Sequence, residues 1–212
     1  MLHKDPFIIA PETFELLQQL QALPELIDFQ LVGGTSLALQ MGHRNSIDLD
    51  LFTQNEFDGQ ELLDFISGIY SDVKIIYQRK NTLILMIQNV KTDFIRHPYA
   101  YLNEPITEEG IRYLSKQDIA AMKINAIVNS GKRLKDFVDI YFLLEHFNMS
   151  QILGFYRQKY PHMSPMVPLK AIVFFDDIDP EMDPPKMRKP LKIETIKKRI
   201  LESVLKMNKR FN

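Results

Sequence analysis

One stretch limits the fold of this sequence more than any other: Leu31 to Thr53, LVGGTSLALQMGHRNSIDLDLFT. Gly33 and Gly34 separate a short apolar segment from an apolar helical run, which predicts a strand-to-helix corner. Acidic and apolar residues alternate after that run, which predicts a short strand. Because residues two apart in a strand share a face, Asp48 and Asp50 are expected to project together, roughly 7 Å apart.

The two aspartates indicate a metal site. Two carboxylates this close repel each other, and a divalent cation with a preference for oxygen ligands, Mg²⁺ or Mn²⁺, removes the repulsion. The alternative is a solvated strand face in an edge hairpin. Since the flanking residues are apolar rather than typical of a turn, we predict that Asp48 and Asp50 are metal ligands.

The glycine corner is suited to binding an anion. Glycine lets a ligand approach the backbone closely, and the N–H groups at a helix start attract negative charge. Thr35 is expected either to cap the helix or to contact a phosphate oxygen, and an ordinary tight turn is the alternative. A phosphate cradle facing a two-carboxylate metal site is the layout expected for nucleotidyl transfer from a nucleoside triphosphate (NTP).

The pattern GGT-x-L-x-L-x-x-GHR-x-S-x-DLDLF resembles the signature of the AbiE-type abortive-infection toxins, in the polymerase-beta-like minimal nucleotidyltransferase superfamily. The resemblance implies an α+β fold, with a mixed sheet and flanking helices followed by a helical C-terminal domain. It implies that Arg44 and Ser46 lie at the nucleotide. It also implies a third acidic residue on a later strand, where Asp93 falls, as a metal ligand or as the general base. A solvent-facing Asp93 is the alternative.

Two helices follow the strands. In the helix predicted over Lys116–Asn129, Lys123 lies within the apolar arc, and the resemblance implies a contact with the nucleotide phosphates. A lysine at the edge of the stripe, with its amine reaching solvent, is the alternative. Lys135, Asp136 and Asp139, in KDFVDIY, resemble a later motif of the family and are candidate catalytic and nucleotide-binding residues. An internal ion pair that fixes this helix is their alternative role.

The segment from Ile106 to Ser115 is predicted to connect two domains. Residues 1–105 would form the nucleotidyltransferase catalytic domain, and residues 106–212 a helical domain that completes the nucleotide cleft. Before the connection, tightly spaced apolar runs predict an antiparallel meander of three strands, Val73–Gln78, Leu83–Ile87 and Val90–His97.

The composition of the sequence excludes several kinds of covalent bond, metal site and catalytic group. The 212 residues carry 26 Lys and Arg against 27 Asp and Glu, so no global basic field attracts nucleic acid. Basic residues of the last predicted helix, Pro190–Met207, form either a local RNA contact or a solubilising face. The absence of cysteine excludes disulfides, thiolate zinc sites and cysteine nucleophiles. Without a secretory segment or a long apolar run, the protein is expected to be cytoplasmic with no membrane partner.

We therefore expect a metal-dependent nucleotidyltransferase that moves a nucleoside monophosphate from an NTP to an acceptor hydroxyl. The resemblance implies the toxin half of a type IV toxin–antitoxin pair, with RNA or tRNA as acceptor and an antitoxin encoded nearby as partner. One alternative is a nucleotidyltransferase that modifies an antibiotic or another small molecule. The other is a nucleotide-binding or interaction module without turnover.

Overall fold

The structure is a computed structural model and describes residues 1–211. The chain divides into two compact units. The first comprises Met1–Ala100 and Glu104–Leu114. The second comprises Tyr101–Asn103 and the chain from Ser115 onward.

The first unit contains three α-helices, a short 3₁₀ helix (Pro24–Leu26) and a mixed sheet of seven strands, in the order β3-β4-β5-β2-β1-β7-β6. The helices are α1 (Pro11–Ala22), α2 (Gly33–Met41) and α3 (Gly59–Ile69). The strands are β1 (Gln30–Val32), β2 (Leu49–Thr53), β3 (Val73–Arg79), β4 (Thr82–Ile87), β5 (Val90–Arg96), β6 (Ile106–Glu108) and β7 (Ile111–Tyr113). The predicted antiparallel meander is confirmed as β3, β4 and β5.

In strand β2 the side chains alternate between buried and partly exposed positions. Leu49 and Leu51 are fully buried in the hydrophobic core, whereas Asp50 and Phe52 between and after them are partly exposed. Burying a leucine side chain contributes roughly 1.5–3 kcal/mol, so the register of β2 is strongly fixed. The alternation therefore holds Asp50 on the opposite face from the core.

The predicted connecting segment, Ile106 to Ser115, is instead mostly a β-hairpin of β6 and β7. Glu109 and Gly110, both with positive φ, make the two-residue turn that such a hairpin needs. Ile111 and Tyr113 are buried, and β7 pairs in parallel with β1. Gly110 is compatible with a linker and with a hairpin turn, and in the structure it lies in the turn between β6 and β7. The division of roles between residues 1–105 and 106–212 stays a prediction.

The second unit is helical. Its helices are α4 (Lys116–Asn129), α5 (Leu134–Leu143), α6 (Met149–Lys159), α7 (Met166–Ala171) and α8 (Ile193–Leu205). The Ser115 hydroxyl accepts a hydrogen bond from the Asp118 N–H at 3.1 Å and caps α4, as its sequence predicts. Within residues 1–211, no helix combines the length and the apolarity that a membrane crossing needs. The cytoplasmic location stays a prediction.

The helical spacing of α4 predicts that Asp118 shares the polar side of the helix with Asn125 and Asn129, but the structure buries Asp118 completely. Its side chain lies 2.9 Å from the Lys159 ammonium of α6. It also accepts a hydrogen bond from the Leu102 N–H at 2.8 Å. The helical pattern alone missed this position because both partners come from distant parts of the sequence.

Candidate active site

Asp50 and Asp93 face each other across the centre of the sheet. Strands β2 and β5 are parallel neighbours, and their register pairs Asp50 with Asp93. Neighbouring strands lie about 4.8 Å apart, and paired residues project from the same face. Asp93 is 8% exposed and Asp50 is partly exposed. The fold thus brings two carboxylates together from distant parts of the chain.

Asp48 lies just before β2 and is partly buried. Across residues 1–211, the structure contains no group of three or more histidine or acidic residues arranged to hold a metal ion. The set of Asp48, Asp50 and Asp93 is therefore not gathered into a complete protein site, and metal ligation by these three residues stays a prediction.

The pair of Asp50 and Asp93 nevertheless suits a hard divalent cation. Mg²⁺ is usually held by one or two carboxylates, with waters and substrate phosphates as its other ligands. The two aspartates supply oxygen donors from adjacent strands on a face that the core does not cover. The residues present therefore fit Mg²⁺ or Mn²⁺ bound together with a nucleotide, rather than a cation held by protein alone.

The corner at Gly33 leaves room for the Asp50 carboxylate. Helix α2 begins at Gly33, which has φ +68°. A Cβ atom at this position would lie 2.0 Å from Asp50 Oδ2. The side chain of Val32, before the helix, gives no capping hydrogen bond to the first turn. The start of α2 and one carboxylate of the pair are therefore in direct contact.

Gly33→Ala is expected to reduce both stability and nucleotide transfer. The left-handed backbone costs a residue with a Cβ roughly 1–2 kcal/mol, and the new methyl group must also displace Asp50. The matched control is Gly110→Ala, because Gly110 has φ +79° and no atom lies within 4 Å of the position that its new methyl group would take. Urea unfolding and a transfer assay should show a similar backbone cost in both variants but loss of transfer only at Gly33. Equal activity in the two variants would contradict the proposed contact.

Thr35 and Ser46 tie α2 to the loop before β2. Thr35 Oγ1 donates to the backbone oxygen of Asp48 and lies 2.8 Å from Ser46 Oγ. Both side chains are buried. The prediction that Thr35 caps the helix is wrong, because α2 begins two residues earlier, at Gly33. The Thr35 hydroxyl holds the Asp48 backbone in place. Contact of Thr35 or Ser46 with a nucleotide stays a prediction.

Arg44 packs against the same corner. Its side chain is 1% exposed, and its Nη1 donates to the backbone oxygen of Asn45 at 2.9 Å. A Cβ at Gly34 would lie 2.3 Å from Arg44 Nη2, so Gly34 leaves the space that the guanidinium fills. Arg44 therefore supports the start of α2 and brings positive charge to it. Direct contact between Arg44 and the triphosphate stays a prediction.

Lys123 lies in a buried triad of the second unit. Its Nζ is 2.7 Å from Asp136 Oδ1 and 2.8 Å from Asp139 Oδ2. The three side chains are 8%, 6% and 0% exposed, in that order. The internal ion pair that the sequence left open is therefore present and joins α4 to α5. Catalytic roles for these residues and a phosphate contact of Lys123 stay predictions.

Lys135 is paired within the second unit. Its ammonium forms an ion pair with Asp183, and Arg133 Nη2 lies 3.3 Å from the other carboxylate oxygen of Asp183. Asp183 belongs to a stretch rich in proline and charge, DDIDPEMDPPKMRKP. Nothing in the local sequence indicates this pairing. Nucleotide binding by Lys135 stays a prediction.

Lys91 is a residue of the site that sequence reasoning missed. Its Nζ lies 2.6 Å from Asp93 Oδ1. The signal was present in VKTDF, since residues two apart in a strand share a face and carry opposite charges here. The structure therefore adds the Lys91 ammonium to the pair of carboxylates.

The basic residues of α8 and the segment after it are partly neutralised within the second unit. Arg199 Nη1 donates to Glu145 Oε1 at 2.8 Å. Lys206 and Lys209 lie 3.0 and 2.9 Å from Glu202 Oε1. Hydrogen bonds from Lys209 and Lys206 lower the pKa of Glu202 to about 2. These pairs favour the solubilising face over an RNA contact.

Most of the sequence, including the glycine corner and the paired aspartates, matches one known protein family. The family described as the nucleotidyl transferase AbiEii toxin of a type IV toxin–antitoxin system matches residues 15–203. The chain belongs to the AbiEii family of nucleotidyltransferase toxins. The resemblance carried by the glycine corner and the paired aspartates is thus confirmed, and so is the expectation of a nucleotidyltransferase.

One curated relative matches most of the chain, and two solved structures share its fold. An uncharacterised protein of Aquifex aeolicus is 33% identical over 177 residues, which cover 81% of this chain and 85% of the relative. The toxin MenT4 of Mycobacterium tuberculosis, a nucleotidyltransferase, superposes with a TM-score of 0.62 at 13% identity, over 92% of this chain and 82% of MenT4. A candidate nucleotidyltransferase of Helicobacter pylori gives a TM-score of 0.60 at 17% identity, over 93% and 95% of the two chains. The predicted α+β nucleotidyltransferase fold is confirmed.

Proposed function

We propose that this AbiEii-family protein transfers a nucleoside monophosphate from an NTP to an acceptor hydroxyl, and that the acceptor is RNA, with tRNA as the first candidate. The observation that carries the proposal is the pairing of Asp50 with Asp93 on one face, in contact with the start of α2 at Gly33. A carboxylate pair and a helix N-terminus are complementary to a metal-bound triphosphate.

Each part of the site has a separate task. Asp50 and Asp93 would hold Mg²⁺ or Mn²⁺, with Asp48 as the third ligand. When bound, the cation neutralises charge on the triphosphate and on the leaving pyrophosphate. The first N–H groups of α2, at Gly33 and Gly34, would bind phosphate oxygens through the backbone. Arg44 and the Thr35 hydroxyl hold this corner in shape.

The transfer is a single displacement at phosphorus. The acceptor oxygen forms a bond to the α-phosphorus, and the bond from that phosphorus to the oxygen bridging to the β-phosphate breaks. The electron pair leaves with pyrophosphate. The proton of the acceptor hydroxyl passes to the Asp93 carboxylate if Asp93 is the general base, and to solvent if Asp93 is only a ligand.

The family supports a toxin role and a partner. A type IV toxin–antitoxin description matches most of this chain. We therefore propose that an antitoxin counteracts the protein. Since AbiEii is a nucleotidyltransferase family, an NTP is the expected co-substrate, and the acceptor is the component to identify by experiment.

The test is an end-labelling assay with the full chain and Mg²⁺. Each α-labelled NTP is supplied in turn with total tRNA, with a panel of aminoglycosides, or with protein alone. We expect label in tRNA, and the labelled NTP that supplies it identifies the base. Label on an aminoglycoside would instead assign the protein to the antibiotic-modifying class, and label on the protein would indicate self-modification. Nucleotide binding without any transfer would indicate a binding module.

A further inference from the structure

Lys91 forms an ion pair with Asp93, one of the proposed metal ligands, and is the more exposed of the two residues. Its side chain is 36% exposed, while that of Asp93 is 11% exposed, and the two atoms Nζ and Oδ1 are 2.6 Å apart. Both residues belong to β5 and lie two positions apart, so they share the face that carries Asp50. The ammonium therefore contacts an oxygen that the proposed cation also requires.

The pairing of β2 with β5 places Lys91 near the acidic residues Asp48, Asp50 and Asp93. The paired part of β2 begins with Leu49 opposite Thr92, and the next pair is Asp50 with Asp93. Asp48 comes just before Leu49, and Lys91 comes just before Thr92. Because the two strands are parallel, Asp48 and Lys91 lie at the same end of the paired segment. Lys91 thus adds positive charge to a group of acidic residues whose mutual repulsion a divalent cation would otherwise relieve.

We propose that Lys91 is an internal counter-ion that competes with the divalent cation for Asp93 and keeps metal affinity low until an NTP binds. This inference rests on the proposed role of Asp93 as a metal ligand. The half-exposed lysine has a flexible stem and can leave the carboxylate, and the triphosphate oxygens offer its ammonium another anionic partner. Lys91 is therefore a positioning residue, which sets when the carboxylates become available.

The test measures Mn²⁺ binding without nucleotide, by isothermal titration calorimetry on the full chain. Lys91→Met is expected to bind Mn²⁺ about tenfold more tightly than the unchanged protein, which corresponds to about 1.4 kcal/mol. Lys91→Gln is a second neutral variant with a similar expected gain, and Lys91→Arg should keep the low affinity. Thermal unfolding of each variant confirms that it is folded before titration.

A matched control shows whether a gain in Mn²⁺ affinity comes from freeing Asp93 or only from the change in net charge. Lys74, on β3, lies 3.6 Å from Asp72, which is also two positions away and immediately precedes that strand. Lys74→Met changes the net charge equally and should leave Mn²⁺ affinity unchanged. Adding Asp93→Asn to Lys91→Met should abolish the gain.

Two results would overturn the inference: unchanged or weaker Mn²⁺ binding in both neutral Lys91 variants, or an equal gain in Lys74→Met. Failure of the proposed metal site, on which the proposed function depends, would give a different result. If Asp50→Asn and Asp93→Asn leave Mn²⁺ binding to the Lys91→Met protein intact, the cation binds elsewhere, and both the metal site and the role of Lys91 are wrong.

Discussion

Asp50→Asn is expected to slow nucleotide transfer about a thousandfold, which corresponds to a loss of about 4 kcal/mol of transition-state stabilisation. Asparagine keeps the size of the side chain and its place beside Gly33, but it removes the negative charge that a cation requires. The measurement is the initial rate of label transfer at saturating NTP, with the unfolding midpoint measured in parallel.

The control for Asp50→Asn is Asp72→Asn, which removes an exposed carboxylate next to β3 and should leave transfer unchanged. Asp93→Asn separates the two roles proposed for Asp93. If Asp93 is a ligand, raised Mg²⁺ should restore part of the rate; if it is the general base, raised Mg²⁺ should not. Full activity in Asp50→Asn would remove the main support for the proposed site.

Lys123→Met is expected to lower the free energy of unfolding by about 3–5 kcal/mol, the usual cost of breaking a buried ion pair. The change leaves the Asp136 and Asp139 carboxylates buried beside each other without the ammonium that lies 2.7 and 2.8 Å away. Urea unfolding followed by circular dichroism measures the effect. Lys116→Met, at the start of the same helix, is the control and should change stability by less than about 0.5 kcal/mol.

Combining Lys123→Met with Asp136→Asn and Asp139→Asn should recover most of the lost stability, because no uncompensated charge remains buried. This triple variant also separates the two roles of the triad. Transfer that returns with stability would assign the triad to joining α4 and α5. Transfer that stays lost in a stable triple variant would support a direct role of one or more of the three residues in the reaction. If Lys123→Met unfolds at the same urea concentration as the unchanged protein, the buried triad is wrong.

Local pattern predicted the strand that carries Asp50 and the helix that starts at the glycine corner, because alternation and helical spacing are properties of neighbouring residues. Asp93 could be proposed only through the family resemblance. Its pairing with Asp50 depends on the register of two strands far apart in the sequence, which no local pattern encodes.

The partners of charged residues were the least predictable part of the structure. Asp118 with Lys159, and Lys135 with Asp183, are pairs whose members are more than forty positions apart, and several residues of opposite charge could have supplied each partner. The hairpin of β6 and β7 was missed because the same turn residues also occur in linkers. In each case the tertiary fold selects one of several locally equivalent arrangements.

The pairing of β2 with β5 also bears on protein synthesis. A growing chain contains Gly33, Asp48 and Asp50 well before it contains Asp93, and ribosomes add roughly 5–20 residues per second. The opposing carboxylate therefore joins the site only after seconds of further elongation. Prematurely terminated chains that end before β5 would contain the glycine corner without its second aspartate. A nascent member of this toxin family is thus expected to stay inactive on the ribosome until the later strands have emerged and paired.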